Sequence, residues 1–193
     1  MRKKYLSLLA KQILQTVPGG LSKVRFAKIL YFTHKGLVLK RLSFVKDVEF
    51  IRMPLGPAPV GFMELSEDKD IVVIQSPSSL VYDKELYTLK GSGSYFVDNV
   101  ALEIQKIVNG LNNLTTSELV EIAHQEPSWI RHENGDEYFL EDDDLKISLP
   151  TRRKTKISPA IDEQHLQAKL IEGMLGEIVD ESTSLEYPNS NKN

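Results

Sequence analysis

The stretch "KVRFAKILYFTHKGLVLKR", Lys23 to Arg41, is the longest run in the chain with helical spacing of apolar residues. Ser22 stands directly before it, where a hydroxyl can cap the first turn of a helix. The stripe that the spacing predicts to be buried comprises Val24, Ala27 and Tyr31 on one face, with Phe26, Leu30 and Leu37 beside it. So broad a stripe predicts that this helix is the central one of the fold.

The segment before it, "MRKKYLSLLAKQILQTV", predicts an amphipathic first helix that ends at the turn "PGG", Pro18 to Gly20. It resembles the start of a signal peptide, but Lys11 interrupts the apolar run and no small-residue cleavage site follows. No stretch approaches the roughly 18 apolar residues of a membrane span. We therefore expect no membrane contact.

Three segments after the central helix predict a small three-stranded antiparallel sheet. "VEFIRM", residues 48–53, alternates in polarity and stops at Pro54. "DIVVIQSP" (70–77) and "SLVYDKELYTLKG" (79–91) are strand-like and are joined by the short connection "SPSS". Between the first two lies a Gly/Pro-rich loop, "LGPAPVG".

Two further helices are predicted in the second half of the chain. The first covers residues 97–109, and the second begins at a capping box formed by Thr115 and Glu118. Pro127 should end the second helix, because the residue before a proline is disfavoured in helical conformation. This places His124 in the last helical turn.

The fold class is therefore α+β: a mainly helical domain, residues 1–148, and a C-terminal extension, residues 149–193. Residues 133–144 hold seven acidic residues and no basic one, which predicts a solvated segment around a short "YFL" strand or turn. In the extension, "TRRKTK" is a polar linker, and Ser158 starts an amphipathic helix with Ile171, Met174, Leu175 and Ile178 on one face. Residues 182–193 are predicted to be disordered.

The composition excludes several kinds of chemistry. The chain of 193 residues contains no cysteine, so disulfides, thiolate zinc sites, iron–sulfur clusters and thiol nucleophiles are excluded, which fits a reducing cytoplasm. The four histidines show no metal-binding spacing, and "GSGS" lacks the lysine of a phosphate-binding loop. We expect no metal and no cofactor.

The charge of the chain is unevenly distributed. Residues 1–46 contain eleven basic residues and no acidic one, whereas the rest holds the other 13 basic and all 27 acidic residues. One hypothesis is a basic face for nucleic acid or an acidic partner. The other, which we favour, is that the two parts pack together and neutralise each other.

Three ordered motifs resemble the Panacea domain, also called the SocA-like antitoxin domain. "KILYFTHKG" supplies Lys28, Leu30, Tyr31 and Phe32; "LGPAPVGFMEL" supplies Gly56 and Pro57; and "LTTSELVEIAHQEPSW" supplies His124, Glu126, Pro127 and Trp129. The similarity spans roughly residues 5 to 145. An alanine follows Gly-Pro here, where the family commonly has a valine.

The resemblance implies a mainly helical domain with a small antiparallel sheet, acting as the antitoxin of a bacterial or phage toxin–antitoxin pair. It implies a cognate protein toxin as the partner, with a protease in addition if the domain is an adaptor. We expect no active site, and we expect toxin contact through Gly56, Pro57 and Pro59 and through His124 and Trp129, with Trp129 more typical of a core position than of an exposed anchor.

Two other functions remain open at the level of the sequence. The acid-free first 46 residues favour a regulator that binds nucleic acid, although no helix-turn-helix is evident. His124 with Glu121 or Glu126 would suit general acid–base catalysis, but a histidine near a helix C-terminus is more often structural. We therefore predict a binding protein and not an enzyme.

Overall fold

The computed structural model describes residues 2–75 and 85–150. Within them the chain forms six α-helices and six short β-strands. The helices are α1 (Arg2–Thr16), α2 (Lys23–Leu39), α3 (Asp98–Asn112), α4 (Thr116–Ala123), α5 (Pro127–Arg131) and α6 (Asp142–Lys146). The strands are β1 (Leu21–Ser22), β2 (Phe50–Ile51), β3 (Ala58–Pro59), β4 (Ile71–Gln75), β5 (Glu85–Leu89) and β6 (Glu137–Tyr138).

Helix α2 is the central element, as its apolar stripe predicts. Every residue from Phe26 to Leu37 is buried, and α1, α3, α4 and strand β3 all pack against it. Ser22 precedes the helix in an extended conformation, but its hydroxyl makes no capping hydrogen bond. Gly36 lets α3 approach closely, because a Cβ there would lie 2.7 Å from Cδ1 of Ile107.

The predicted three-stranded antiparallel sheet is present, but its third strand is β1. Strands β4 and β5 pair from Ile71 opposite Leu89 to Gln75 opposite Glu85, and β1 pairs with the other edge of β5. The segment 48–53 instead contributes β2 to a second sheet, of order β3-β2-β6. The chain after β2 turns back on itself, so β3 pairs with β2 locally. The "SPSS" connection lies outside the described residues.

The capping box of α4 is confirmed: the Thr115 amide donates to Glu118 Oε2 over 2.6 Å, and the Glu118 amide donates to Thr115 Oγ1 over 3.1 Å. The predicted end of this helix is wrong by a few residues. α4 stops at Ala123, His124 is its C-terminal cap, and Pro127 is the first residue of α5. A proline fits there because the first helical amide has no partner within the helix.

The acidic segment 133–144 contains strand β6 where the "YFL" strand or turn is predicted, but its acidic residues are not all solvated, which corrects that part of the prediction. Tyr138 and Leu140 are buried, and Asp144 is fully buried. The linker "TRRKTK", the predicted helix from Ser158 and the predicted disorder of residues 182–193 lie outside the described residues. None of the described helices combines the length and the apolar character needed to cross a membrane.

Opposite charges join the N-terminal part of the chain to the rest. Five lysines among residues 1–46 bind carboxylates contributed by later residues. These ion pairs are Lys3–Glu64, Lys11–Asp68 and Asp70, Lys23–Glu85, Lys35–Glu126 and Lys40–Glu103. The favoured interpretation of the uneven charge, mutual neutralisation, is therefore confirmed for these residues.

Candidate functional site

The Gly-Pro loop, Met53–Pro59, is held from below by helix α2. The buried Lys28 donates from Nζ to the carbonyl oxygen of Pro57 over 2.6 Å. Gly56 has a φ of +93°, which favours glycine, and a Cβ at this position would lie 3.1 Å from Lys28 Nζ and 3.0 Å from the Cβ of Ala123. Lys28 of the first motif and Gly56 of the second therefore pack directly against each other.

The same loop is held from the side by Trp129. The indole stacks on the His124 ring, with centroids 4.2 Å apart, and the Arg52 guanidinium lies 4.2 Å from the indole centroid. Trp129 Nε1 donates to the Met53 carbonyl over 3.0 Å, and His124 Nε2 lies 3.0 Å from the Pro54 carbonyl. Trp129 is half-buried in this stack and does not lie in the hydrophobic core.

A buried charged cluster lies where the junction of α4 and α5 meets helix α2. Lys35 Nζ donates to both carboxylate oxygens of Glu126, over 2.9 and 2.6 Å, and the Tyr31 hydroxyl donates to Oε2 over 2.9 Å. Burial raises the pKa of the Glu126 carboxyl, and the Lys35 ammonium and the Tyr31 hydroxyl oppose that shift. The cluster fixes the junction between α4 and α5 to the central helix.

A second buried carboxylate also binds the start of α5. Asp144 accepts from the Ser128 amide over 2.9 Å and from the Ser128 hydroxyl, and the Glu141 amide donates to it over 2.8 Å. This aspartate therefore joins α5 to α6 and satisfies amides at both helix starts. It has no counterpart among the sequence-predicted site residues.

An apolar groove of about 650 Å³ runs along the outer side of the Gly-Pro loop. Its walls combine loop residues with side chains of α2 and of the turn that follows β3. Two methionines on the walls are exposed, Met53 by 43% and Met63 by 56%. The other apolar lining residues include Val24, Ala27, Leu55 and Phe62. A groove of this size and character suits an apolar group from a binding partner.

A family model, described as the antitoxin SocA-like Panacea domain, matches residues 26–130, more than half of the chain. The chain belongs to this family. The membership associates it with toxin–antitoxin systems. Comparisons with curated proteins and with solved structures find no match.

The Panacea motif residues divide into three groups in the structure. Gly56 and Pro57 form part of the Gly-Pro loop, and Lys28, His124 and Trp129 contact it. Tyr31 and Glu126 lie in the charged cluster at the junction of α4 and α5. Leu30 and Phe32 are buried in the hydrophobic core, and Pro127 starts α5. Because Gly56, Pro57 and Pro59 are buried, the exposed side of the loop is formed by Met53 instead.

Several residues that build this Panacea site are not among the motif residues named above: Lys35 and Ser128, which lie within the quoted stretches, and Arg52 and Asp144, which lie outside them. The sequence contains one signal that could have revealed Lys35. Lys28 and Lys35 are seven residues apart, and so lie on one face of a helix that is apolar on every side. Charged residues in such a helix need buried partners.

His124 and Glu126 of the Panacea domain make different contacts and do not act as a pair. The carboxylate of Glu126 binds Lys35 and Tyr31, while His124 Nε2 lies against the Pro54 carbonyl. Glu126 thus pairs with side chains of the central helix, whereas His124 contacts the backbone of the Gly-Pro loop. Within residues 2–75 and 85–150, no group of three or more acidic residues or histidines could hold a metal ion.

Proposed function

We propose that this chain is an antitoxin that neutralises a cognate protein toxin by direct binding, and that the groove beside the Gly-Pro loop is the binding surface. Family membership supports the toxin–antitoxin association. The observation that carries the choice of surface is that residues of the first and third motifs converge on the loop that contains the second. Lys28, His124 and Trp129 each bind a different carbonyl of this loop.

Such convergence favours binding because it fixes the shape of the surface before the partner arrives. A preformed loop loses little conformational entropy when it is covered. The exposed methionines on the groove walls add flexible apolar area, which lets one surface fit different partner side chains. We propose occlusion of the toxin in the cytoplasm and not catalysis, with affinity dominated by a few buried anchors.

A charge placed on the groove wall tests this surface. Met63→Glu should lower the affinity for the toxin at least about tenfold, because a carboxylate would be desolvated in the interface. Phe44→Glu is the matched control, since Phe44 is 80% exposed and does not line the groove. The readouts are growth of cells that express the cognate toxin, and co-purification of the two proteins. Equal protection by both variants would refute the proposed surface.

The resemblance also raises a finer function, in which the antitoxin delivers its toxin to a protease. Immunoblotting of the toxin during co-expression separates the two modes. Simple occlusion leaves the amount of toxin unchanged, whereas an adaptor lowers it. The C-terminal extension from residue 158 is a further candidate for toxin contact on sequence grounds alone.

Nucleic-acid binding is the alternative function, and the contacts do not favour it. Five lysines of the basic N-terminal part are already paired with carboxylates. A mobility-shift assay at two salt concentrations checks this, because binding driven by phosphate contacts must weaken steeply with salt.

A further inference from the structure

Lys28 lines the apolar groove and is only 2% exposed. An ammonium group has three N–H donors. Among the described residues, the Pro57 carbonyl is the one hydrogen-bond acceptor that Lys28 Nζ meets. Burial accordingly lowers the pKa of the Lys28 ammonium well below its ordinary value. The groove therefore contains a buried lysine with unused donor capacity, and a carboxylate placed beside it would favour its charged form.

The other charged residues that line the groove are either paired with an opposite charge or exposed to solvent. Lys23 is paired with Glu85 over 3.1 Å, and Glu64 is paired with Lys3 over 2.6 Å. Glu137 is exposed. Lys28 is thus the charged group of this lining that is buried and has no carboxylate partner within the described chain.

We propose that the groove receives a segment of the toxin in which an apolar side chain lies next to a carboxylate, and that Lys28 pairs with this carboxylate. The inference rests on the proposed function and names the chemistry of its partner. The apolar side chain fills the space between Met53, Met63 and Phe62. The carboxylate supplies the missing acceptor, and charge-assisted hydrogen bonds are strong where water is excluded.

This arrangement gives the antitoxin a means of selection. A partner that fills the groove with apolar groups alone leaves the Lys28 donors buried without acceptors, which is unfavourable. A partner that carries the carboxylate satisfies them. Discrimination of this kind exceeds what apolar contacts achieve, because a missing polar partner costs more than a missing methylene group.

The charge preference can be measured without the toxin, using octanoate and octanamide as probes of equal chain length. We expect octanoate to bind the full chain about tenfold more tightly than octanamide, as one additional charge-assisted hydrogen bond predicts. Chemical shifts of the Leu55 and Gly56 amides in NMR titrations report occupancy of the groove. Equal affinities, or no binding of either probe, would overturn the inference.

Two variants test whether the preference for octanoate over octanamide depends on Lys28. In Lys28→Met the side-chain volume is nearly kept, and octanoate should lose its advantage over octanamide. Lys23→Met, on the same helix and in the same groove lining, should keep the advantage. Persistence of the preference in Lys28→Met overturns the assignment. The comparison of probes on the unaltered chain remains decisive if Lys28→Met does not fold.

A competition experiment then identifies the occupant. Octanoate should displace the co-purified toxin from the unaltered antitoxin, whereas octanamide should not at the same concentration. If octanoate binds through Lys28 without displacing the toxin, the natural occupant is a small carboxylate and the toxin-segment assignment is wrong. If the chain binds no toxin at all, the proposed function fails, while the measured charge preference of the groove still stands.

Discussion

Replacing Glu126 by glutamine should destabilise the protein strongly, although the two side chains have nearly the same shape. Lys35 and Glu126 are 0% and 1% exposed at the side chain and lie 2.6 Å apart. Glutamine can still accept from Lys35 and Tyr31, but it cannot neutralise the ammonium. The variant therefore isolates the effect of the charge.

The magnitude can be bounded from the chemistry of the lysine left behind. An ammonium without its counter-ion can lose its proton, which for an ordinary lysine costs about 4.6 kcal/mol at neutral pH. This is an upper limit, and breaking a buried ion pair commonly costs about 3–5 kcal/mol. We expect a loss of about 3–4 kcal/mol, a large share of the roughly 5–15 kcal/mol by which a domain is stable.

Urea denaturation followed by far-UV circular dichroism measures this loss on the full chain. Lys35→Met should also be destabilising, while the double variant Lys35→Met/Glu126→Gln should lose at least about 2 kcal/mol less than the sum of the two. Lys40→Met is the control, since its pair with Glu103 is half exposed and should contribute less than about 1 kcal/mol. A loss for Glu126→Gln as small as that of the control, or additive single losses, would refute the reasoning.

Three other predictions concern a buried histidine, a glycine of the Gly-Pro loop and the C-terminal extension. Burial lowers the pKa of His34 from 6.5 to about 4. Between these pH values the unfolded chain binds a proton that the folded chain does not, so stability should fall by up to about 3 kcal/mol as the pH drops through this window. His34→Leu should flatten that part of the profile of urea midpoints; an unchanged profile would contradict this cause. Gly56→Ala should cost about 1–3 kcal/mol in thermal unfolding because its φ is +93°. Gly110→Ala, in helix α3 with no atom within 4 Å of the new Cβ, should be neutral or stabilising, and the same loss in both would contradict the strain at Gly56. Deleting residues 158–193 should weaken toxin neutralisation and leave the remaining domain folded; full protection by the shortened chain would exclude this segment from toxin contact.

The sequence by itself determined the features that depend on neighbours along the chain. The apolar spacing of Lys23–Arg41 located the central helix, and Thr115 with Glu118 located the start of α4. Both signals arise from residues within one or two helical turns of each other. The family resemblance likewise followed from three short motifs, and the family match over residues 26–130 confirms it.

The tertiary structure alone decided how these motifs act together. Lys35 and Glu126 are 91 residues apart, and Arg52 and Trp129 are 77 apart. A charged residue such as Asp144 is expected in water from its local sequence, and only the amides and hydroxyl that meet it in the fold offset its loss of hydration. These hydrogen-bond donors include groups from a distant segment of the chain, so the local sequence pattern cannot predict that Asp144 is buried.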